Sequence, residues 1–264
     1  GRFFFFFSAG MYEGIRAAGS CLIVCDAEKA KYDVGAEKAF KAAKAKGSSV
    51  FFVITKTDAE NANFGNLFEQ LKEVHGTKLC PVVVPYIEDS KIKYFVNLAQ
   101  NKAYEYKDGK RSEVEMPQSD KLSAMRDMFN EAVATSNEAL MDKFFGGETI
   151  SEDEALQGLL DGVIDGSIYP VYACSGLTLD AVDLLMDNLV KLAPDASRVA
   201  HEKVLDDSGN ETDLTVDPDG PLAAICFKTV ADPFVGKMNY IKVISGKITP
   251  DTVIYDSRSG QSMK

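Results

Sequence analysis

The chain has 264 residues, 45% of them hydrophobic and 26% charged, a composition typical of a soluble globular protein with one large or two ordinary domains. The formal net charge of −11 argues against broad non-specific binding to nucleic acid, and no independent DNA binding is expected. No apolar run reaches the length of about 18 residues that a membrane-spanning helix needs, so we expect no contact with the membrane interior.

Five consecutive Phe residues occupy positions 3–7. Such a run favours a buried first strand, or marks the edge of a fragment of a longer protein. The alternative is an anchor for a membrane or a partner protein. We expect the buried strand or the fragment edge, and an exposed run of this kind would promote aggregation.

The five cysteines are odd in number and lie mostly inside apolar runs, at Cys21, Cys25, Cys80, Cys174 and Cys226. This pattern predicts small buried apolar side chains in a reducing compartment and no disulfide framework. A metal site at Cys21 and Cys25 is not expected, because no second cysteine pair and no histidine lie near them.

Apolar runs alternate with amphipathic segments along the first 196 residues. Strands are predicted at residues 21–25, 50–54, 80–85 and 169–174, and helices at residues 34–46, 63–75 and 179–192. The runs are continuous instead of alternating, which is typical of parallel strands covered by helices on both faces. The fold class predicted for this part is therefore α/β.

An interruption between the third and fourth strands is predicted to be an inserted α+β subdomain, at about residues 86–165, that is not part of the sheet. Residues 91–106 alternate as in a hairpin, and residues 107–110 form a turn signal. Helices are predicted at residues 119–135, 137–145 and 151–165, the last with the capping-box spacing of Ser151 and Glu154.

The pattern changes after Pro194. Residues 197–216 are polar and acidic and are predicted to form a linker. Strands are then predicted at residues 222–230, 238–245 and 252–256, separated by turn signals such as Asp232-Pro233 and Gly236. Residues 217–264 therefore favour a second domain of antiparallel strands.

The most informative motif is Thr55-Lys56-Thr57-Asp58, at the end of the second predicted strand. The motif resembles the [N/T]-K-x-D with which GTP-binding proteins select guanine: the Asp carboxylate can accept hydrogen bonds from the ring N–H and the exocyclic amine of guanine, and adenine has neither donor on that edge. The stem of Lys56 can cover the base while its ammonium stays in water. The alternative interpretation is an ordinary loop at the end of a strand.

A second short motif, Ser175-Gly176-Leu177, follows the fourth predicted strand and precedes a helix. It is similar to the S-A-[L/K] loop of guanine-nucleotide-binding proteins, with Gly in place of Ala, and in those proteins a backbone N–H of the loop meets the guanine oxygen. An ordinary strand-to-helix turn is the alternative. Together the two motifs predict a guanine site formed by Thr55, Lys56, Asp58, Ser175, Gly176 and Leu177.

The chain resembles elongation factor G and its close relatives among the translational GTPases. The resemblance runs from about Met11 to Lys264 and is carried by residues 13–27, 34–40, 55–58, 60–64, 217–224, 227–229 and 231–237. It implies a partial doubly wound GTPase-type parallel sheet in residues 1–196, the inserted subdomain, and the start of an antiparallel β-barrel in residues 217–264. It also implies GTP or GDP as ligand, Mg²⁺ in the full-length parent, the ribosome as partner, a cytoplasmic location and a role in ribosomal translocation. A ribosome-protection or rescue-type paralogue is an alternative within the family.

The departures from the family are equally specific. The chain has no G-x-x-x-x-G-K-[S/T] phosphate loop and no Asp-x-x-Gly before Met11, and its histidines, His75 and His201, lie far downstream and are expected at the surface or in the linker. The resemblance thus implies a fragment from just after the second switch into the second domain, without catalytic or metal-binding residues. The parent family hydrolyses GTP, but this chain is expected to be inactive alone. A non-catalytic interaction module is the alternative, and an unrelated Rossmann enzyme is not expected, because no G-x-G-x-x-G follows a strand.

Overall fold

The computed structural model describes residues 3–198, 203–205 and 208–263. The chain divides into two compact units, Gly1–Val199 and Ala200–Lys264.

The first unit contains a seven-stranded mixed sheet and seven α-helices within its described residues. Its elements are, in chain order, α1 (Phe3–Ala17), β1 (Ser20–Asp26), α2 (Val34–Lys46), β2 (Ser49–Thr55), α3 (Phe64–His75), β3 (Leu79–Glu88), β4 (Lys91–Asn97), β5 (Lys102–Lys107), β6 (Lys110–Val114), α4 (Asp120–Ala134), α5 (Glu138–Phe145), α6 (Glu152–Asp165), β7 (Tyr169–Ala173) and α7 (Val182–Leu192). The strand order across the sheet is β1-β2-β7-β3-β4-β5-β6.

The α/β class predicted from the sequence is confirmed. Strands β1, β2, β7 and β3 pair in parallel, and helices α2, α3, α4 and α6 pack against the sheet. All five residues of β7 and the first six of β2 are buried, as expected for strands covered on both faces. Strand β1 lies at the edge of the described sheet, where Leu22 and Val24 remain exposed.

The prediction that residues 86–165 stand apart from the sheet is wrong for the strands. Strands β4, β5 and β6 continue the sheet from β3 by antiparallel pairing. Strand β3 extends to Glu88 and is joined to β4 by Asp89 and Ser90, both with positive φ, which is the geometry of a two-residue hairpin turn. The free edge of β3 is thereby paired. The turn predicted at residues 107–110 is confirmed, with Asp108 and Gly109 at positive φ.

The predicted helices are confirmed, and side-chain caps set most of their starts. Asp33, Asn63, Ser119 and Asn137 each accept a hydrogen bond from a backbone N–H in the first turn of the helix that follows. The predicted capping box at Ser151 forms with both of its hydrogen bonds.

The buried first strand expected at residues 3–7 is wrong, because these residues begin helix α1. Strand propensity of Phe is a weak preference that depends on context, and the run continues into Ala9, Met11, Glu13 and Arg16, which favour helix. Lys46 caps the far end of this helix by donating to the carbonyl oxygens of Ile15 and Ala18 at 2.9 and 2.6 Å. Among the described residues, no helix is long and apolar enough to cross a membrane.

The second unit consists, in its described residues, of three antiparallel hairpins. They pair β8 (Lys203–Leu205) with β9 (Glu211–Asp213), β10 (Ala223–Asp232) with β11 (Gly236–Ser245), and β12 (Ile254–Asp256) with β13 (Gln261–Met263). The turn expected around Pro233 is confirmed, with Asp232 accepting from the N–H groups of Phe234 and Val235 and Gly236 at φ 86°.

The central hairpin buries one face more than the other, as its alternation predicts. Ile225 and Phe227 are half-buried, whereas Ala224 and Cys226 are exposed. A bulge between Cys226 and Lys228 then shifts the alternation. The expectation that the cysteines are buried is correct for Cys25, Cys80 and Cys174 and wrong for Cys226, which is exposed.

Candidate functional site

The loops that carry both sequence motifs meet at one edge of the sheet, at the carboxyl ends of β1, β2 and β7. The N–H of Ala27 donates to the carbonyl oxygen of Thr55, and the N–H of Cys174 donates to that of Ile54, each at 3.0 Å. Since the three strands are parallel neighbours, the segments that leave them lie side by side. This edge of an open α/β sheet is where such folds bind ligands.

Thr55 lies at the end of β2, where its backbone carbonyl oxygen accepts a hydrogen bond from the N–H of Ala27. Burial raises the pKa of the thiol of Cys174, the last residue before the second motif, and the Thr55 side chain opposes the rise. Thr55 therefore joins β2 to the segment after β1 through its backbone.

Lys56 adopts a left-handed backbone conformation, with φ 59°, and directs its ammonium toward the loop after β1. The Nζ atom lies 2.9 Å from Asp26 Oδ2 and 2.9 Å from Glu28 Oε2. The hydrogen bond from Lys56 holds the pKa of Asp26 below its usual range, and the two carboxylates raise the pKa of Lys56.

Asp26 and Glu28 were not predicted as site residues. A signal for Asp26 was available, because β1 and β2 are consecutive parallel strands that both end at this edge, and Asp26 pairs in register with Thr55. Glu28 carries no such signal, since its position depends on the turn that follows β1.

Asp58 and Ser175 are in direct contact although 117 positions separate them in the chain. The Oγ atom of fully buried Ser175 donates to Oδ1 of exposed Asp58 at 2.5 Å. The same Oγ accepts from the N–H groups of Leu177 and Thr178, at 3.2 and 3.1 Å. Ser175 thus links the carboxylate of the first motif to the backbone of the second.

The loop after Ser175 is closed on itself. The N–H of Ser175 donates to the carbonyl oxygen of Asp180 at 2.9 Å, and Thr178 Oγ1 donates to Asp180 Oδ2 at 2.8 Å. Leu179 and Ala181 have positive φ, of 65° and 59°, a conformation that costs non-glycine residues free energy. The surrounding contacts must therefore hold this loop in place.

Gly176 and Leu177 face open space. A Cβ atom added to Gly176 would meet no atom within 4 Å, and Leu177 is 84% exposed. The predicted loop residues therefore leave room beside Asp58 for a planar ligand.

A cleft of about 430 Å³ is lined by Asp58 and lies between the loop after β2 and the β3–β4 hairpin. Its walls include Phe64, Ile92 and Phe95, and Thr57 lines it with a buried hydroxyl that has no hydrogen-bond partner among the described residues. The cleft separates the Asp58 loop from the strands that extend the sheet.

The expectation that His75 lies at the surface or in the linker is wrong. His75 is half-buried, with its ring centroid 4.3 Å from that of Phe40, 4.9 Å from Phe52, 5.6 Å from Tyr32 and 5.8 Å from Tyr169. Burial lowers its pKa to about 4, so the imidazole is neutral. The other histidine, His201, lies outside the described residues.

The family profile of the elongation factor Tu GTP-binding domain matches residues 6–195, nearly three quarters of the chain. The chain belongs to this family of translational GTPases.

Curated relatives agree with this assignment. An elongation factor G-like protein of Thermotoga maritima is 32% identical over 249 residues, which cover 94% of this chain and 36% of the relative. Elongation factor G of Ureaplasma parvum serovar 3 is 32% identical over 210 residues, covering 77% of this chain and 30% of the relative. A crystal structure of a Thermus thermophilus protein superposes with a TM-score of 0.77 at 25% identity, over 98% of this chain and 36% of that one. The chain spans about a third of the length of the relatives it matches.

Proposed function

We propose that this chain recognises the guanine base of GTP or GDP at the carboxyl ends of β1, β2 and β7. The observation that carries the proposal is the 2.5 Å hydrogen bond from Ser175 to Asp58, which orients a carboxylate at the ligand-binding edge of the sheet. With Oδ1 oriented by Ser175, the carboxylate remains able to accept from the ring N–H and the exocyclic amine of guanine.

The neighbouring residues supply the rest of a base site. The backbone N–H of Gly176 is proposed to donate to the guanine oxygen, and the stem of Lys56 to cover one face of the base. Asp26 and Glu28 hold the Lys56 ammonium away from the carboxylate of Asp58, which leaves that carboxylate free to pair with the ligand. The side chain of Leu177 is proposed to border the base on its solvent-exposed side.

The sequence contains no G-x-x-x-x-G-K-[S/T] loop of the kind whose backbone N–H groups surround phosphates. We therefore propose base recognition without GTP hydrolysis by this chain, with a weak affinity of roughly 1 mM, or about −4 kcal/mol.

The wider role is proposed from the family. The relatives are named elongation factor G or elongation factor G-like protein, and these names support a role in translation. We propose the ribosome as partner, the cytoplasm as location and translocation as the step. We propose that the chain corresponds to the part of such a factor from just after the second switch into the second domain. Residues 1–196 would be the remainder of the GTPase domain and residues 217–264 the start of a β-barrel, and the segment predicted as a linker, residues 197–216, carries the β8–β9 hairpin.

The substitution Asp58→Asn tests the base site. It turns one acceptor oxygen into a donor, so it should weaken binding of GDP and favour XDP, whose base has a carbonyl oxygen in place of the exocyclic amine. The ratio of the two affinities should shift toward XDP by at least about tenfold, since hydrogen bonds to charged groups are worth about 1.5–3 kcal/mol. Titration of ¹⁵N-labelled protein by NMR measures both affinities in the millimolar range.

Glu60→Gln is the matched control. Glu60 is exposed, lies two residues from Asp58, and its substitution makes the same change of charge. The GDP-to-XDP ratio should be unchanged in this variant. An Asp58→Asn protein that keeps the wild-type ratio would rule out the proposed role of Asp58.

A further inference from the structure

The β5–β6 hairpin reaches the helix that follows the Ser175 loop. Tyr106 on β5 and Arg111 on β6 are directly paired across the two strands. Tyr106 Oη donates to Oδ1 of Asp183, in the first turn of α7, at 2.6 Å. Arg111 Nη1 lies 3.2 Å from Oδ2 of Asp183 and 3.0 Å from Oδ2 of Asp187.

These contacts fix one face of α7. Asp183 and Asp187 are four positions apart on the helix, so their charges repel each other unless a cation lies between them. Arg111 provides that cation, and its guanidinium also lies over the ring of Tyr104, 5.2 Å from the centroid. The first turn of α7 is therefore held to the hairpin by a neutral and a charged donor acting on the same carboxylate.

The same hairpin also contacts the loop itself. A Cβ atom added to Gly109, in the turn between β5 and β6, would lie 3.4 Å from both the carbonyl oxygen of Thr178 and the Cβ of Leu179. Leu179 is one of the two loop residues with positive φ. The hairpin therefore packs against the loop where its backbone is strained and holds the helix into which the loop leads.

We infer that Tyr106 and Arg111 are positioning residues that keep the Ser175 loop in the conformation in which Ser175 contacts Asp58. The identity of the ligand in this inference rests on the proposed function, whereas the effect on the loop conformation is independent of it. The path runs from Tyr106 and Arg111 to Asp183 and from there, through the loop closed by Asp180, to Ser175. The inserted strands thereby contribute to guanine selectivity without touching the base.

The effect on the loop is measured in the protein without nucleotide. The N–H groups of Leu177 and Thr178 donate to Ser175 Oγ, so their hydrogen exchange reports on the loop conformation. Tyr106→Phe removes the bond to Asp183 and keeps the ring. It should speed exchange of these two amides by about tenfold, and adding Arg111→Gln should speed it further.

Glu113→Gln is the control for this measurement. Glu113 pairs with Lys102 at 3.0 Å within the same hairpin, so its loss affects the strands without reaching α7. Exchange of Leu177 and Thr178 should stay at the wild-type rate. Unchanged exchange in Tyr106→Phe combined with Arg111→Gln would overturn the inference.

The effect on selectivity is measured by the ratio of GDP to ADP affinity. A loss of overall stability lowers both affinities equally, whereas displacement of Ser175 and Asp58 lowers the ratio. The double variant Tyr106→Phe with Arg111→Gln should reduce the ratio at least fivefold. The same double variant with Arg111→Lys in place of Arg111→Gln should keep part of the ratio. Glu113→Gln should leave the ratio unchanged. An unchanged ratio in the double variant would overturn the role in selectivity. If the wild-type protein shows no preference for GDP, the proposed function fails, while faster amide exchange would still establish the positioning of the loop.

Discussion

His75 lies at the end of α3 with its imidazole enclosed by the rings of Tyr32, Phe40, Phe52 and Tyr169. Its Nε2 atom is buried without a hydrogen-bond partner among the described residues. Protonation would place an unsolvated charge there, with Lys44 adding repulsion. The imidazole therefore acts as an apolar aromatic side chain as long as it stays neutral.

Stability should depend on pH through His75. Its pKa is about 4 in the folded protein and near the ordinary value of 6.5 when unfolded, so between these values the unfolded state binds more protons. The contribution of His75 to the free energy of unfolding is then complete above pH 6.5 and is lost as the pH falls toward 4. Within this window the loss is at most about 1.4 kcal/mol per pH unit. Urea unfolding at pH 5 and pH 7 measures it.

His75→Phe isolates this effect from the carboxylates, which titrate in both proteins. The variant keeps an aromatic ring in the cluster and removes the proton-binding site. Its free energy of unfolding should fall less than that of the wild type between pH 7 and pH 5. Equal losses in the two proteins would show that His75 is not responsible.

Residue types and spacing predicted Asp58 and Ser175 as members of one site, but not their direct hydrogen bond. A sequence places both at the ends of parallel strands, and only the order of the strands makes β2 and β7 neighbours. The direction of the Lys56 ammonium was also not predictable, because it follows from a left-handed backbone conformation that few lysines adopt.

At the scale of elements, helix α6 shows how a glycine can be required inside a helix. A Cβ atom added to Gly162 would lie 2.4 Å from Cγ1 and 2.5 Å from Cδ1 of Ile168, which is fully buried. Glycine at position 162 therefore lets the helix approach the start of β7 more closely than a residue with a Cβ atom would permit.

Gly162→Ala should destabilise the protein although alanine favours helix. Overpacking costs typically about 1–3 kcal/mol, against a gain in helix propensity of about 1 kcal/mol, so a net loss of up to about 2 kcal/mol is expected. Chemical denaturation measures the change.

Gly14→Ala is the matched control for Gly162→Ala. Gly14 lies inside α1, where an added Cβ would meet nothing within 4 Å. This substitution should stabilise helix α1, by up to about 1 kcal/mol. If both alanine variants changed stability in the same direction, close packing at Gly162 would not be the cause.

The helices were predicted well because their signals are local. Caps such as Asp33, Asn63 and Ser151 stand directly before the segments that they start. The pairing of strands is not local: nothing in residues 91–114 says that they extend the sheet instead of forming their own. The Phe run at residues 3–7 was mispredicted for the same reason, since strand preference depends on what lies beside a segment.

At the scale of the whole molecule, the division into two units near residue 199 predicts where proteases cut. The trypsin sites of this stretch, Arg198 and Lys203, are both exposed, and proteolysis favours exposed segments between compact units. Brief trypsin treatment should first cleave between Arg198 and Asp217, part of which lies outside the described residues. Mass spectrometry of the products identifies the bond.

Cleavage inside the first unit would give a different pattern. If the earliest products came from cuts between residues 21 and 58, the central sheet would not be formed in solution. Chymotrypsin serves as a second protease, because its preference for aromatic residues such as Tyr172 tests whether the buried β7 strand is protected.

The place of β7 in the sheet has a consequence for synthesis of the protein. This strand lies between β2 and β3 and pairs with both, yet it is made after β3 and all three strands that extend it. At roughly 5–20 residues per second, the about 80 residues from Glu88 to Tyr169 take several seconds to translate. During that interval the nascent chain exposes two apolar strand edges that cannot yet close on each other. The growing polypeptide is thus most in need of a chaperone just before β7 leaves the ribosome.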